Sequence, residues 1–228
     1  MPDFHAAGIK VIHKAVSVRH VVKAQSLGVQ AVSTDGFECA GHPGEEDIPG
    51  LVLIPAAARA LDIPIIASGG IATGAGLVAA LALGATAVNM GTRFVATTEA
   101  PVHDNVKAQI VANGERSTQL VFREFKNTAR VARNSVSEVI VKLSQRPGAT
   151  FADIADFASG TRGRTEVLAN GNVEGGLWWA SLAQGLIDEV TSCACVVEQI
   201  LAEAEQIIAT RLPSYLAAPN IRSSSVDV

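Results

Sequence analysis

Two glycine-bearing turns are the parts of this sequence whose residue types and spacing are best suited to chemistry. One short apolar run ends in a Ser-Gly-Gly turn, and the next apolar run ends in a Gly-Thr turn. Backbone N–H groups at such turns carry positive partial charge, and glycine lets an anion approach without meeting a Cβ. Since both turns follow strands of one β-turn-α-β-turn unit, they favour a phosphate site over plain tight turns. The predicted phosphate-binding residues are Ser68, Gly69, Gly70, Gly91 and Thr92.

Two further side chains could act on whatever these turns bind. His42 lies between Gly41 and Pro43 in a long glycine-rich connection after the second predicted strand. An imidazole titrates near neutral pH and can donate or accept a proton. Lys14 ends the first predicted strand on the same pleat face as Ile12, so it would project toward the mouth of a pocket. The alternatives are a histidine that binds only loop backbone and a lysine that is only solvated.

Other motifs carry less chemistry. The run from Gly74 to Ala79 satisfies G-x-G-x-x-A, but it begins several residues after its strand and no acidic residue ends the next strand. A Rossmann site is therefore not expected. The three consecutive acids at 45–47 have no nearby histidine pair, and we expect no metal site. Trp178 and Trp179 could roof a planar ligand, although core packing is the more common role of such residues.

The elements that must position these residues form an internal repeat. IKVIHKA (9–15) aligns with IPIIASG (63–69), and LGVQAVS (27–33) aligns with LGATAVN (83–89). Strand–helix units repeated in this way build parallel sheets, and four short units suit a (β/α)8 barrel better than an open sheet. Because a closed barrel needs eight strands, we predict an α/β fold that forms the C-terminal half of a TIM barrel. The two turns would then follow strands seven and eight.

The pattern changes after Phe94 to helices with polar connections. Residues 115–133 carry basic side chains among apolar positions at helical spacing, and residues 196–212 form a helix with one apolar face. A frayed tail is expected from Pro219 onward. We predict three segments. They are the second half of the barrel at 1–103, a small helical cap domain at 104–189, and a C-terminal helix that packs on the barrel, followed by the tail, at 190–228.

Composition and charge exclude several function classes. The chain has 228 residues, is 48% hydrophobic and carries a net charge of −4 without a basic run, which argues against a nucleic-acid partner. No apolar run reaches the length of a membrane helix and no signal sequence follows Met1, so no membrane association is expected. The 3 cysteines form neither an even framework nor a CxxC pair. This favours a reducing compartment, and we expect a cytoplasmic protein.

Three long segments, in order, resemble the nitronate monooxygenase family, formerly called the 2-nitropropane dioxygenases. They are DGFECAGHPGEEDIPGLVLIPAAA (35–58), PIIASGGIATGAGLVAALALGA (64–85) and VNMGTRF (88–94). The resemblance continues through RSTQLVFREFKNTARVARN and GGLWWASLAQGLID, and so covers nearly the whole chain. Within the family, the sequence is most similar to the subgroup of NADH:quinone reductases.

This resemblance implies an FMN-dependent oxidoreductase built on a TIM barrel with a small helical second domain. Its substrates would be small molecules, either an alkyl nitronate oxidised with oxygen or NADH oxidised with a quinone, and the flavin would supply the redox chemistry. His42 matches the family's active-site histidine. The residues that the resemblance places at the FMN are Lys14, Gly41, Ser68, Gly69, Gly70, Gly91 and Thr92.

The sequence departs from the family at its N-terminus. Family members begin with about a hundred further residues that carry the first four strands of the barrel, and this sequence does not contain them. A half-barrel leaves two strand edges exposed, so we expect it to pair with another half, and a homodimer is one such arrangement. Two alternatives to an active oxidoreductase stay open. One is a non-catalytic truncated fragment of such an enzyme, and the other is a non-redox phosphate-binding barrel lyase or isomerase that would use Lys14.

Overall fold

The computed structural model describes residues 1–216, and its main sheet has four parallel strands. They pair in sequence order, so each strand is followed by its neighbour in the sheet. The strands are β1 (Ile12–Ala15), β2 (Ala31–Asp35), β3 (Ile65–Ser68) and β4 (Ala87–Asn89). The central strands β2 and β3 are mostly buried, whereas β1 and β4 at the edges leave most of their residues exposed. The predicted strand–helix repeat and its parallel sheet are therefore confirmed.

Helices cover this sheet and bury its apolar side chains. Val21 of the second helix and Ala57 of the third are fully buried in one cluster with Val32 of β2. The fourth helix begins after Thr73, whose Oγ1 accepts a hydrogen bond from the backbone N–H of Gly76 at 3.1 Å. The helices in this part of the chain are α1 (Pro2–Ala6), α2 (Val18–Ser26), α3 (Gly50–Ala58), α4 (Gly74–Ala82), α5 (Thr92–Val95) and α6 (Asp104–Ala112).

The stretch 115–133, which the sequence pattern predicted to be helical, is a β-hairpin, so that prediction is wrong. Strands β5 (Thr118–Val121) and β6 (Ala129–Ala132) pair antiparallel. Phe122 and Lys126, in the connection between them, have positive φ angles of 65° and 53°, which a continuous α-helix does not allow. All four residues of β6 are buried, so the apolar positions are satisfied by a sheet packed on two sides. The cap segment is therefore not purely helical.

The remainder of this segment is mostly helical and irregular. Helix α7 begins after Asn134, whose side chain and that of Ser137 form a reciprocal capping box. The helices of this segment are α7 (Ser135–Ser144), α8 (Ala155–Ala158) and α9 (Gly160–Arg162). It also contains 3₁₀ turns at Arg123–Phe125, Phe151–Asp153 and Leu182–Leu186 and a π-helical stretch at Gly163–Ala169. No helix in residues 1–216 combines the length and the apolar character that a membrane crossing requires.

The last long helix lies against α4 of the barrel half. Helix α10 (Cys193–Gln206) continues into a π-helical stretch at Ile207–Arg211 and a 3₁₀ turn at Pro213–Tyr215. A Cβ at Gly74 would lie 2.5 Å from the carbonyl oxygen of Ile200, so only glycine permits this close approach. The tail predicted from Pro219 lies outside the described residues.

Candidate cofactor site

A pocket of about 230 Å³ lies at the carboxyl ends of the parallel strands. In open α/β folds and barrels this edge of the sheet is where ligands bind. Both glycine turns reach this pocket because they follow adjacent strands, β3 and β4. The structure thus brings together six of the predicted site residues, which are Lys14, Ser68, Gly69, Gly70, Gly91 and Thr92.

The glycines of the two turns are needed for different reasons. Gly69 and Gly70 have φ angles of 91° and 75°, which other residues rarely adopt. A Cβ at Gly70 would also lie 2.9 Å from the Cβ of Glu38. Gly91 has an ordinary φ of −96°, and a Cβ there would meet no protein atom within 4 Å. The absence of a side chain at Gly91 therefore serves the pocket rather than the fold.

Four backbone N–H groups of these turns have no acceptor within the described part of the chain. They belong to Gly69, Gly70, Gly91 and Thr92, and none of them donates a hydrogen bond there. The hydroxyl oxygen of Thr92 accepts a hydrogen bond from the backbone N–H of Ser181 at 3.0 Å, so its own proton remains available to a ligand. Several free N–H donors that converge on one pocket are the arrangement that binds phosphate groups.

The N-terminus of α4, a second place where an anion could bind, is already satisfied. The backbone N–H of Gly74 donates to Oε2 of Glu203 at 2.6 Å, and that of Gly76 donates to Oγ1 of Thr73. A carboxylate at a helix N-terminus interacts favourably with the helix dipole and would repel a second anion. The N-terminus of α4 is therefore already paired with a carboxylate of this chain.

Lys14 forms an ion pair with Asp35, a residue that the sequence analysis did not identify. The distance from Nζ of Lys14 to Oδ2 of Asp35 is 2.7 Å, and the Asp35 side chain is 3% exposed. Its other oxygen, Oδ1, is buried without a hydrogen-bond partner. Partial burial disfavours the Lys14 ammonium, but the hydrogen bond and charge of Asp35 outweigh it and raise the pKa of Lys14. Asp35 could have been identified from the sequence as an acidic residue at the end of a predicted strand, directly before Gly36.

Cys39 also lines the pocket but is not a nucleophile. Burial and the nearby Asp35 carboxylate raise the pKa of its thiol to about 11. The thiolate is the reactive form of cysteine, and at neutral pH this side chain stays protonated.

The structure places His42 beside the pocket rather than in it. His42 lines a separate cavity of about 270 Å³ together with His13, His20 and Lys14, so Lys14 borders both spaces. The imidazole packs on the indole of Trp179, with ring centroids 5.8 Å apart and an interplanar angle of 51°. Trp178, in contrast, is buried in the core, so of the two tryptophans only Trp179 faces the candidate active site.

The loop that carries Gly41 and His42 is held by β6 of the hairpin. The N–H of Gly41 donates to the carbonyl of Arg130 at 3.0 Å, and the N–H of Arg130 donates back to the carbonyl of Gly41 at 2.6 Å. The buried guanidinium of Arg130 also donates to the carbonyl of Phe37 at 2.9 Å and lies 4.5 Å from the centroid of that ring. Gly41 does not line the pocket, and it turns the loop at a φ of 78°.

The acidic run at 45–47 ties this loop to the hairpin as well. Both oxygens of Glu45 accept hydrogen bonds from Thr128, through its backbone N–H and its hydroxyl. Asp47 accepts from the two terminal nitrogens of Arg123 at 2.7 and 3.0 Å. These carboxylates hold the position of His42 through the loop and do not point to a metal site.

Comparison with known proteins identifies the family of this chain. The family model described as nitronate monooxygenase matches residues 2–203. The chain belongs to the nitronate monooxygenase family. This family member is 29% identical over 213 residues to a nitronate monooxygenase of Paraburkholderia phytofirmans, covering 90% of this chain and 57% of that protein.

Other relatives of this nitronate monooxygenase family member carry different names. It is 29% identical over 233 residues to a (3aS,4S,5R,7aS)-5-hydroxy-7a-methyl-1-oxo-octahydro-1H-indene-4-carboxyl-CoA dehydrogenase of Rhodococcus jostii, covering 87% of this chain and 65% of that protein. The structure of FabK from Thermotoga maritima superposes with a TM-score of 0.86 at 32% identity, over 94% of this chain and 66% of that one. The fold is therefore part of a TIM barrel, and the chain spans less than two thirds of the length of these relatives.

The Lys14–Asp35 ion pair gives a first test of the site in this family member. Replacing Lys14 with Met should lower the free energy of unfolding by about 1–3 kcal/mol at neutral pH, because a buried carboxylate loses its partner. The loss of stability should lie at the lower end of this range, because the Lys14 side chain is 57% exposed and solvent weakens the ion pair. Since the pKa of Lys14 is raised above its ordinary 10.5, the stabilisation is complete below that pH and lost as pH rises through the folded-state value.

Urea unfolding at pH 7 and at a pH above 10.5 measures both effects. The gap between wild type and Lys14→Met should narrow at the higher pH, and adding Asp35→Asn to Lys14→Met should recover most of the lost stability. Lys10→Met, at an exposed lysine without an ion pair among the described residues, is the matched control. Equal stability of wild type and Lys14→Met at both pH values would show that the pair contributes nothing.

Proposed function

We propose that this chain forms the part of an FMN-dependent oxidoreductase that binds the phosphate end of the flavin. The observation that carries this proposal is the convergence of four unpartnered N–H groups on one pocket at the carboxyl ends of parallel strands. Membership of the nitronate monooxygenase family supports a flavin over other phosphate-bearing ligands. The groups that would contact the phosphate are the backbone of Gly69, Gly70, Gly91 and Thr92, with the hydroxyl of Thr92.

The size and polarity of the pocket fit only one end of FMN. Pockets that enclose a whole cofactor-sized ligand commonly reach about 300–1,000 Å³, whereas this pocket has about 230 Å³. The buried Oδ1 of Asp35 has no partner and would accept a hydrogen bond from a sugar-alcohol hydroxyl. Ser68 and Asn89 add further polar atoms to the wall. The phosphate and part of the ribityl chain therefore fit here, and the ring would extend beyond the pocket.

The ring would extend toward Lys14 and His42. When bound, FMN supplies hydride or single-electron transfer, and the protein supplies position and charge. Lys14 holds an ammonium on the border between the two cavities, where it would stabilise negative charge on a reactant. His42 would hydrogen-bond an anionic or carbonyl-bearing reactant, with its loop fixed by β6. Residues 104–189 would thereby act as a cap that positions the catalytic loop of the barrel half.

Two reactions are proposed for this site. One is the oxidation of an alkyl nitronate with oxygen, in line with the name of the nitronate monooxygenase of Paraburkholderia phytofirmans. The other is the oxidation of NADH with a quinone. A lyase or isomerase that forms a Schiff base is disfavoured, because Asp35 raises the pKa of Lys14 and keeps this amine protonated.

The test is a side-by-side steady-state assay of the purified chain supplied with FMN. Nitronate consumption is measured with oxygen, and NADH oxidation is measured with a quinone, each against FMN alone. We expect visible flavin absorption on the protein and turnover in one of the two assays. Colourless protein that is inactive in both assays would overturn the proposal and favour a non-catalytic fragment. The same sample, run on a sizing column, reports whether the open edges of β1 and β4 pair two copies into a homodimer.

A further inference from the structure

A third cavity, of about 210 Å³, lies where the cap segment meets the end of the barrel half. Its wall is apolar, and of the residues that line it only Arg164 is charged. Val106 and Trp178 are almost completely buried, and Trp179 is 51% exposed, so the cavity runs from the core toward the surface. The side chains that form most of its wall are Val95, Val106, Phe122, Leu168, Leu177 and Trp178.

This cavity is suited to hydrocarbon rather than to water. The indole N–H of Trp178 donates to the carbonyl of Val173 at 3.2 Å, so it is not free for a ligand. None of the buried side-chain polar atoms without a partner lies on a residue of its wall in the described part of the chain. An ordered water needs two to four polar partners, and apolar cavities of this size stay dry or bind apolar molecules. An empty cavity also forfeits the contacts that its lining atoms could make.

One side chain, Trp179, contacts both this cavity and the candidate active site. Trp179 forms part of its wall and also packs on the ring of His42, at 5.8 Å between centroids. His42 in turn shares its own cavity with Lys14, which borders the phosphate pocket. The three spaces are therefore neighbours in the order phosphate pocket, histidine cavity and apolar cavity.

We propose that the apolar cavity binds the unbranched aliphatic part of the substrate whose reacting end lies at His42. The proposal rests on the proposed function for the position of the reacting end, but the binding of an aliphatic chain can be measured without FMN. From its volume, the cavity holds a chain of about six to eight carbons. Substrates with such a chain would be favoured over those with one or two carbons.

Intrinsic fluorescence reports on this cavity directly, because both of the 2 tryptophans in the sequence line it. The probes are straight-chain alcohols from 1-butanol to 1-dodecanol, added to the FMN-free chain. Each added methylene should tighten binding about fourfold until the cavity is full, after which longer chains should gain little. Affinity that does not change with chain length would overturn the proposal.

Variants that fill the cavity distinguish alcohol binding inside it from binding to the surrounding surface. Ala158→Phe fills the cavity and should weaken 1-octanol binding about tenfold or more, since several methylene contacts are lost. Ala149→Phe, at a half-buried alanine outside the cavity wall, is the matched control and should bind like wild type. Gly160→Leu, where a Cβ would meet no atom within 4 Å, serves as a second plug if Ala158→Phe does not fold. A plugged and folded variant that binds 1-octanol like the control would exclude this cavity.

Alcohol binding and FMN binding test two separate proposals, so failure of one can be told from failure of the other. If the alcohols bind as described but FMN does not, the oxidoreductase proposal fails and an apolar ligand site remains. If FMN binds and the alcohols do not, the flavin site stands and the apolar cavity is not part of the substrate site.

Discussion

Gly91→Leu should weaken FMN binding about a hundredfold or more while leaving the thermal midpoint within a few degrees of wild type. The backbone at Gly91 has a φ of −96°, which leucine adopts without strain, and a Cβ there would meet no protein atom within 4 Å. The added side chain would instead occupy the 230 Å³ pocket. It would displace the phosphate from the N–H groups, and two lost charge-assisted hydrogen bonds of about 1.5 kcal/mol or more each account for that factor.

Gly114→Leu is the matched control for this variant. A Cβ at Gly114 would likewise meet no protein atom within 4 Å, and this glycine lies between α6 and β5, away from the pocket. Both proteins are titrated with FMN while flavin fluorescence is followed, and both are melted by circular dichroism. If Gly91→Leu bound FMN as tightly as Gly114→Leu, the phosphate could not lie between the two turns.

His42→Ala should reduce turnover about 10²- to 10⁴-fold, the usual contribution of a positioned acid or base, with FMN affinity unchanged. His42 does not line the phosphate pocket, and its imidazole is exposed on the Trp179 side of the site. Removing it therefore leaves every proposed phosphate contact intact. The value of kcat in whichever assay is active, together with the Kd for FMN, tests both parts of the prediction.

His20→Ala is the control for a general effect of removing an imidazole from this cavity. His20 lines the same space, but its ring is bound to the hydroxyl of Ser17 at 2.9 Å. We expect at most a small change in kcat for this variant. Loss of flavin from His42→Ala, with unchanged turnover in the protein that still holds it, would contradict the assignment of His42 as the catalytic histidine.

The barrel half was predictable because its signals are local. The strands are short, glycine marks the turns after β2, β3 and β4, and the internal repeat makes the order of the strands predictable. Parallel strands in sequence order bring their carboxyl ends to one edge, so Gly69, Gly70, Gly91 and Thr92 had to converge. Lys14 reaches the same edge for the same reason, as its pairing with Ser33 of β2 shows.

The hairpin was not predictable from periodicity, because its residues are stabilised by distant partners. Arg130 lies in the run that was predicted to be helical, yet it is 4% exposed and donates a hydrogen bond to the carbonyl of Phe37, which is 93 positions away. Burial of all of β6 and the left-handed backbone at Phe122 come from tertiary packing, which overrides local pattern.

The contacts between side chains far apart in the sequence were also not predictable. The sequence shows an acid at Asp35 and a lysine at Lys14, but only the strand register brings them within 2.7 Å. In the same way, the contact of Glu203 with Gly74 joins residues 129 positions apart, and no short-range pattern indicates it. Trp178 and Trp179 are adjacent in the sequence, but the structure gives them different environments. Trp178 is buried in the core, and Trp179 is exposed beside His42.

A paired titration of the wild-type chain with FMN and with riboflavin tests the central claim most directly, because the two ligands differ only in the phosphate. Four free N–H groups and the Thr92 hydroxyl are proposed to hold that phosphate. We predict that FMN binds about a hundredfold or more tighter than riboflavin, since several charge-assisted hydrogen bonds depend on it. Equal affinity for the two flavins, or binding of neither, would contradict the proposed site.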